Sequence, residues 1–167
     1  MNGKPTFPSR QRPPIAASEP VSELESHLGY WLRFVSNHVS QGFQRKVEAA
    51  GVTVSEWVVM REMHRLGPTS QTELGQKIGM TKGAISKLAA RLERKELLIR
   101  RIIETDRRNH VIALTPAGKT LVPSLARLAD QNDEEFFGHM SKRMRADLVE
   151  AMKEIVRIHQ LKAVPID

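Results

Sequence analysis

A mainly α-helical fold carrying one small β-hairpin is predicted by three features of this sequence. Apolar residues recur at helical spacing along most of the chain, helix-start signals punctuate it, and after Leu98 the period shortens to that of strands. The first helix is predicted from Ser22, with Leu24, Leu28, Trp31, Leu32, Val35, Val39, Phe43 and Val47 at three- and four-residue steps. Ser22 and Glu25 have capping-box spacing, and Gly51 stands just past the expected end. Thr53 and Glu56 open a second helix, Val54–Leu66, which Gly67-Pro68 stops. Ser70 and Glu73 form a third capping-box pattern, opening a short helix that ends near Gly79. A fourth helix runs from about Thr81 to Lys95. Leu98–Glu104 and His110–Thr115 read as strands, separated by a polar hairpin loop over Thr105–Asn109. Thr115-Pro116 then sets an N-cap before a first-turn proline. Two helices follow, roughly 116–137 and 141–162, the second with Met144, Leu148, Met152, Ile155 and Ile158 along one face.

Composition narrows the function classes. With no cysteine, the 167-residue chain can form neither disulfides nor thiolate metal sites, and it cannot sense oxidants through a thiol. The expected compartment is the cytoplasm. No run approaches the length of a membrane span, and the proline-rich start lacks the apolar core of a signal peptide. Net charge is +7, and its distribution is informative: residues 68–116 hold ten Lys/Arg against five Asp/Glu. A localised excess of this kind suits a surface that faces a polyanion. The expected organisation is a flexible Pro-rich basic arm (1–21), a helical dimerisation region (22–50 and 116–162) and a DNA-binding domain (53–115).

The constellation behind that last expectation is a helix-turn-helix. Two helices that approach closely need a small residue at the contact and a residue tolerant of positive φ in the turn. Gly75 and Gly79 take these places, with Leu74, Ile78, Met80, Ile85 and Leu88 as the apolar filling. The second helix then presents Thr81, Lys82, Gly83, Ser86, Lys87 and Arg91, with Ser70 at the start of the first, to a major groove about one helix wide. Glycines at 75 and 79 alone would equally suit ordinary loops. The hairpin downstream, with Arg107 and Arg108 at its tip, favours the DNA reading, because arginine suits the negative potential of a minor groove. The predicted architecture is thus a winged helix-turn-helix.

The stretch Glu73–Leu98, followed by Asp106–Gly118, resembles the MarR family of transcriptional regulators, and the likeness extends over about residues 22–162. The family's Asp-x-Arg wing signature is met by Asp106 and Arg108. The resemblance implies that Arg108 enters the minor groove and that Asp106 orients the wing, through an arginine on the first strand such as Arg101. It also implies first and last helices intertwined in a homodimer, and a repressor released by a small effector. The sequence departs from the family at Glu96, where glycine commonly follows the recognition helix. A non-glycine there must adopt the left-handed conformation, at roughly 1 kcal/mol, or end the helix differently.

Apart from the resemblance, the apolar stripes of the first and last helices argue for pairing between chains, although packing on each other within one chain would also cover them. A twofold dimer places recognition helices about 34–36 Å apart and predicts an inverted-repeat operator in double-stranded DNA. MarR-like proteins often release DNA when a small aromatic or phenolic anion binds between the dimerisation helices and the winged body. Trp31, His38, Trp57 and His64 lie on the elements that would line such a cleft, although Trp and His on such helices are more often core or surface. The six histidines never approach ligand spacing, so no metal is expected and no cofactor is implied. Nucleotide-binding and nucleophile motifs are absent, which argues against an enzyme. The remaining alternative is a winged-helix module that binds protein without DNA.

Overall fold

The computed structural model of the chain describes residues 21–103 and 106–162, with side chains described outside 102–110. The expected arm lies outside the described residues except for Val21. The chain divides into two compact units, one ending at Val35 and one beginning at Ser36.

In the first unit a 3-10 turn, Leu24–Ser26, precedes α1 (Leu28–Ala49). The capping box expected at Ser22 and Glu25 is not formed. The cap position is Glu23, without a side-chain cap bond, and the Ser26 hydroxyl donates to the Glu23 carbonyl at 2.6 Å. His27 is extended and separates the turn from α1, so the helix begins later than its apolar pattern does. Tyr30, Trp31 and Phe34 form a ring cluster, Tyr30 meeting Trp31 edge-on at 5.2 Å.

The second unit holds the rest of α1, then α2 (Val54–Leu66), β1 (Thr69–Ser70), α3 (Gln71–Ile78) and α4 (Lys82–Arg94). It continues with β2 (Leu98–Ile103), β3 (Asp106–Leu114), α5 (Pro116–Phe137) and α6 (Lys142–Ile158). The local signals explain most boundaries. Thr53 caps α2 with the full reciprocal box: its hydroxyl accepts from Glu56 N, and Glu56 Oε2 accepts from Thr53 N at 2.8 Å. At α3 only half of the expected box forms. Ser70 Oγ accepts from Glu73 N, but the Glu73 carboxylate turns to the Thr69 hydroxyl at 2.9 Å. That Thr69 is buried and held in β1, a two-residue strand the sequence did not announce.

The sheet runs β1-β3-β2, all antiparallel. β3 begins at Asp106, so most of the predicted loop at 105–109 is strand. Asp106 stands opposite Ile103 and His110 opposite Ile102, so residues 107–109 fall in the irregular step between those two pairs. The ladder is regular from Leu98↔Leu114 to Ile102↔His110, then shifts register between Ile102 and Ile103.

Met60, Met63, Leu74, Ile85, Leu92, Leu98, Ile112 and Leu125 are fully buried and join α2, α3, α4, the sheet and α5 in one core. Each contributes about 2–3 kcal/mol by leaving water. α5 is tied to α1 at the buried Asn132, whose Nδ2 donates to the Val39 carbonyl and whose Oδ1 accepts from Lys46 Nζ. Lys46 also pairs with Glu135 at 2.6 Å, and that hydrogen bond holds the Glu135 carboxyl below the usual carboxylate range.

At the end of α4, Glu96 adopts φ 59°. Leu97 N donates to Leu92 O and Glu96 N to Glu93 O, both at 2.9 Å, so the helix closes as a Schellman motif with glutamate in glycine's usual place. Glu96→Gly is therefore expected to stabilise the protein by about 0.5–1 kcal/mol, the relieved strain exceeding the added unfolded-state freedom. Chemical denaturation checks this, and a destabilised variant would show that Glu96 is not strained.

Candidate nucleic-acid interface

The geometry of α3 and α4 follows from two glycines. A Cβ on Gly75 would lie 2.7 Å from the Met80 carbonyl oxygen, so only glycine permits the tight turn back. Gly79 sits at φ 71°, ψ 19°, in the left-handed region that reverses the chain between the helices. Met80 N completes the closure by donating to Gly75 O at 3.0 Å.

α4 has two faces. Ile85, Leu88, Ala89 and Leu92 are buried and fix its rotation on the core. Thr81 caps it, accepting from Ala84 N at 3.2 Å. With that rotation set, Thr81, Lys82, Gly83 and Lys87 are exposed and Ser86 is half-buried. No acidic residue occupies the first turn. The free N–H groups and the helix dipole therefore add to the lysine charges at one point. The open side of Gly83, with nothing within 4 Å of a Cβ position, leaves room for another surface to approach the backbone.

The remaining candidates fall in different places. Ser70 is half-buried and its hydroxyl oxygen caps α3. Arg91 is exposed but lines a cleft with Thr53, Glu56, Arg94 and Lys95, where Lys95 Nζ reaches the buried Glu56 carboxylate at 2.7 Å. By helical spacing Arg94, which the sequence analysis passed over, continues the Gly83–Lys87 side of α4. The 83-87-90-94 spacing was the signal that could have found it. Arg107, Arg108 and Asp106 lie in β3, and their side chains are outside the described residues. Arg101 sits in β2 opposite Val111.

Of the four effector candidates, Trp31 lies in the first unit and His38, Trp57 and His64 in the second. Trp57 is core, 9% exposed and edge-on to Phe43 at 6.5 Å. Trp31, in the first unit, donates its indole N–H to the Glu25 carbonyl at 2.9 Å. His38 is exposed on α1. His64 lines a cleft in the second unit, of about 220 Å³, with Met63, Gly67, Pro68, Arg101, Ala113, Leu114 and Lys119. Among the described residues no group of acids and histidines could hold a metal ion.

Residues 52–110 match the model of the MarR family. The HTH-type transcriptional regulator SarZ of Staphylococcus aureus is 23% identical over 135 residues, spanning 81% of this chain and 90% of SarZ. Among solved structures, BpsR of Bordetella bronchiseptica, whose DNA binding is regulated by 6-hydroxynicotinic acid, is similar with a TM-score of 0.68. It is 21% identical, and the match covers 81% of this chain and 97% of BpsR. MepR of Staphylococcus aureus, in complex with DNA, matches with a TM-score of 0.67 and 21% identity, over 78% of this chain and 97% of MepR. The structural likenesses show the fold, including the three-stranded sheet with its wing, and the family model covers the helix-turn-helix. Over residues 52–110, from α2 to the wing, the chain carries a region that matches the MarR family.

Proposed function

We propose that this protein is a sequence-specific, DNA-binding transcriptional regulator that acts in the cytoplasm as a homodimeric repressor. The observation that carries the reading is the outer face of α4. Its N-terminal half offers exposed Lys82, Gly83 and Lys87 beside a Thr81-capped terminus, while the opposite face is locked into the core. A helix so fixed can enter a major groove without rearranging, with Lys and Ser/Thr reaching phosphates and base edges. Similarity to BpsR and to the DNA-bound MepR supports the same role. The wing residues Arg107 and Arg108 would then contact the adjacent minor groove, with Asp106 and Arg101 orienting them. Catalysis plays no part in this reading.

Dimerisation is supported by α6, which buries none of its residues and leaves Met144, Leu148, Met152, Ile155 and Ile158 between 38% and 59% exposed. A stripe of that length is a surface for association. An isologous dimer would read an inverted repeat. A small-molecule effector would end repression by favouring a conformation that spaces the recognition helices wrongly.

Titration of the purified protein against the DNA upstream of its own gene, by mobility shift at 50 and 200 mM salt with non-specific competitor, tests this. Specific binding that weakens roughly 10³-fold between the two salts is expected for about six phosphate contacts per dimer. Absence of binding at the lower salt to that DNA and to a random-site library would reject DNA recognition and leave the protein-interaction module.

A further inference from the structure

The crossing of α1 and α5 is held by a buried amide. α1 enters the core of the winged body at Val47, and α5 at Val122 and Leu125, in the cluster that also holds Ile85 and Leu92 of α4. About two turns past Leu125, Asn132 is 2% exposed. Its Nδ2 donates to the Val39 carbonyl at 3.2 Å, and its Oδ1 accepts from Lys46 Nζ at 3.1 Å. Between these partners, on the same face of α1, lies Gly42. A Cβ there would meet Asn132 Oδ1 and the Phe136 ring, both at 2.9 Å. Positions 38, 39, 45 and 46, one turn away on α1, all carry side chains. Asn132 therefore fits opposite Gly42 in one register, and a slip would bury its amide without partners. A buried asparagine used in this way costs stability and specifies register.

We infer that Asn132 is a positioning residue for operator recognition: by locking α1 onto α5 in this register, it sets the distance between the two recognition helices of the dimer. α5 carries Pro123 in its interior, and the missing N–H removes a rung of the helix before Asn132 is reached. A helix interrupted by proline is prone to kink. The lock braces α5 beyond that point.

α6, whose apolar stripe the reading above gives to the partner chain, starts from the same place. Arg145 pairs with Glu134 at 3.0 Å and also donates to the Met140 carbonyl. The direction of α6 from the core thus depends on where α5 is held against α1. With it goes the placing of α4 relative to the twofold axis, and a small rotation at the lock is multiplied by the distance to α4. This inference rests on the dimeric DNA-binding reading and adds to it the residue that sets the spacing.

Selection of the full chain on a random-site library gives its preferred inverted repeat. Mobility shifts on that repeat, and on versions with one base pair added or removed at its centre, then read the spacing. One base pair moves a half-site by about 3.4 Å and about a tenth of a turn, so the parent is expected to bind both altered repeats at least about tenfold more weakly. Asn132→Leu keeps the side-chain shape without the amide, and is expected to melt no lower than the parent. It is expected to bind all three repeats within about threefold of one another. Lys46→Met removes the bond to Oδ1 while leaving Asn132 in place; its discrimination should fall between, and it decides alone if Asn132→Leu does not fold. Discrimination kept in full by the variants, even with weaker binding throughout, would reduce Asn132 to a structural residue and overturn the inference. A monomeric Asn132→Leu, or a parent indifferent to spacing, would overturn it as well and leave DNA binding standing. A parent that binds nothing in the library would instead reject the DNA-binding reading itself, and the inference with it.

Discussion

Reversing two charges together, Lys82→Glu with Lys87→Glu, is expected to weaken operator binding by at least a hundredfold while leaving the fold intact. Both side chains are exposed, Lys82 as the first residue of α4 and Lys87 on the side turned away from Ile85, Leu88, Ala89 and Leu92. Among the described residues neither ammonium has an ion-pair partner, so removing it leaves no buried charge behind. A lost contact to phosphate or base costs about 1–3 kcal/mol. At about 1.5 kcal/mol each, two contacts exceed a hundredfold in affinity. Reversal also places two carboxylates beside the phosphate backbone, so the effect should surpass neutralisation, and the salt dependence of binding should become shallower. Lys142→Glu with Lys162→Glu, exposed changes at the first residue of α6 and just beyond its end, is the control for the same change in net charge and is expected to stay within threefold. Mobility shift measures the affinities and thermal unfolding confirms the fold. If the double variant binds like the parent, the outer face of α4 is not the DNA surface and the residue roles assigned there fall.

The largest loss of stability from a single methyl group is expected at Gly118→Ala. Gly118 is in the first turn of α5, is buried, and donates its N–H to the Thr115 hydroxyl at 3.0 Å. A Cβ at this position would collide with the Leu97 carbonyl oxygen, and the Leu114 side chain would be 3.3 Å away. That carbonyl cannot simply move aside, because it accepts the Thr115 N–H at 3.1 Å and so links the start of β2 to the start of α5. Backbone on both sides of the collision makes relief more difficult than repacking a flexible side chain. Overpacking usually costs 1–3 kcal/mol, and about 3 kcal/mol is expected here. For a chain of this size that lowers the melting temperature by roughly 10 °C at fixed protein concentration. Gly83→Ala is the contrast. Nothing lies within 4 Å of its Cβ position, and it sits in the first turn of a helix, so it should unfold at or slightly above the parent temperature. Equal melting temperatures for Gly118→Ala and the parent would show that the collision relaxes freely.

The helix-turn-helix was legible because its determinants act over a few residues. Gly75 and Gly79 meet requirements of contact and dihedral angle that are set within one turn of chain. Thr53 and Glu56 satisfy each other's backbone donors across three residues, and the predicted box forms in full. Even the departure at Glu96 was readable, since ending α4 there left the left-handed conformation as one of two local choices. Where the same kind of signal failed, a longer-range partner had intervened. Glu73 has the right spacing to complete the box with Ser70, yet its carboxylate bonds Thr69, which β1 holds beside Ile112. Asp106 to Asn109 carry loop-forming side chains, yet their backbone belongs to β3.

The side-chain groupings outside the helix-turn-helix had no comparable signal. Arg91 and Lys87 are one helical turn apart and chemically alike. Only the rotation of α4 on the core sends Arg91 toward Thr53 and Glu56 while Lys87 stays with Gly83. His64, Arg101 and Lys119 are unremarkable in sequence, and they share a cleft because α2, β2 and α5 pack on Met63 and Leu114. Trp57 resembled a ligand contact in type but serves the core beside Phe43. The elements, their order and the basic face of the recognition helix thus follow from propensities, caps and charge, which are properties of short stretches of chain. Which distant residues meet is set by how the helical and strand faces pack, because burial is a property of the assembled core and of no single segment.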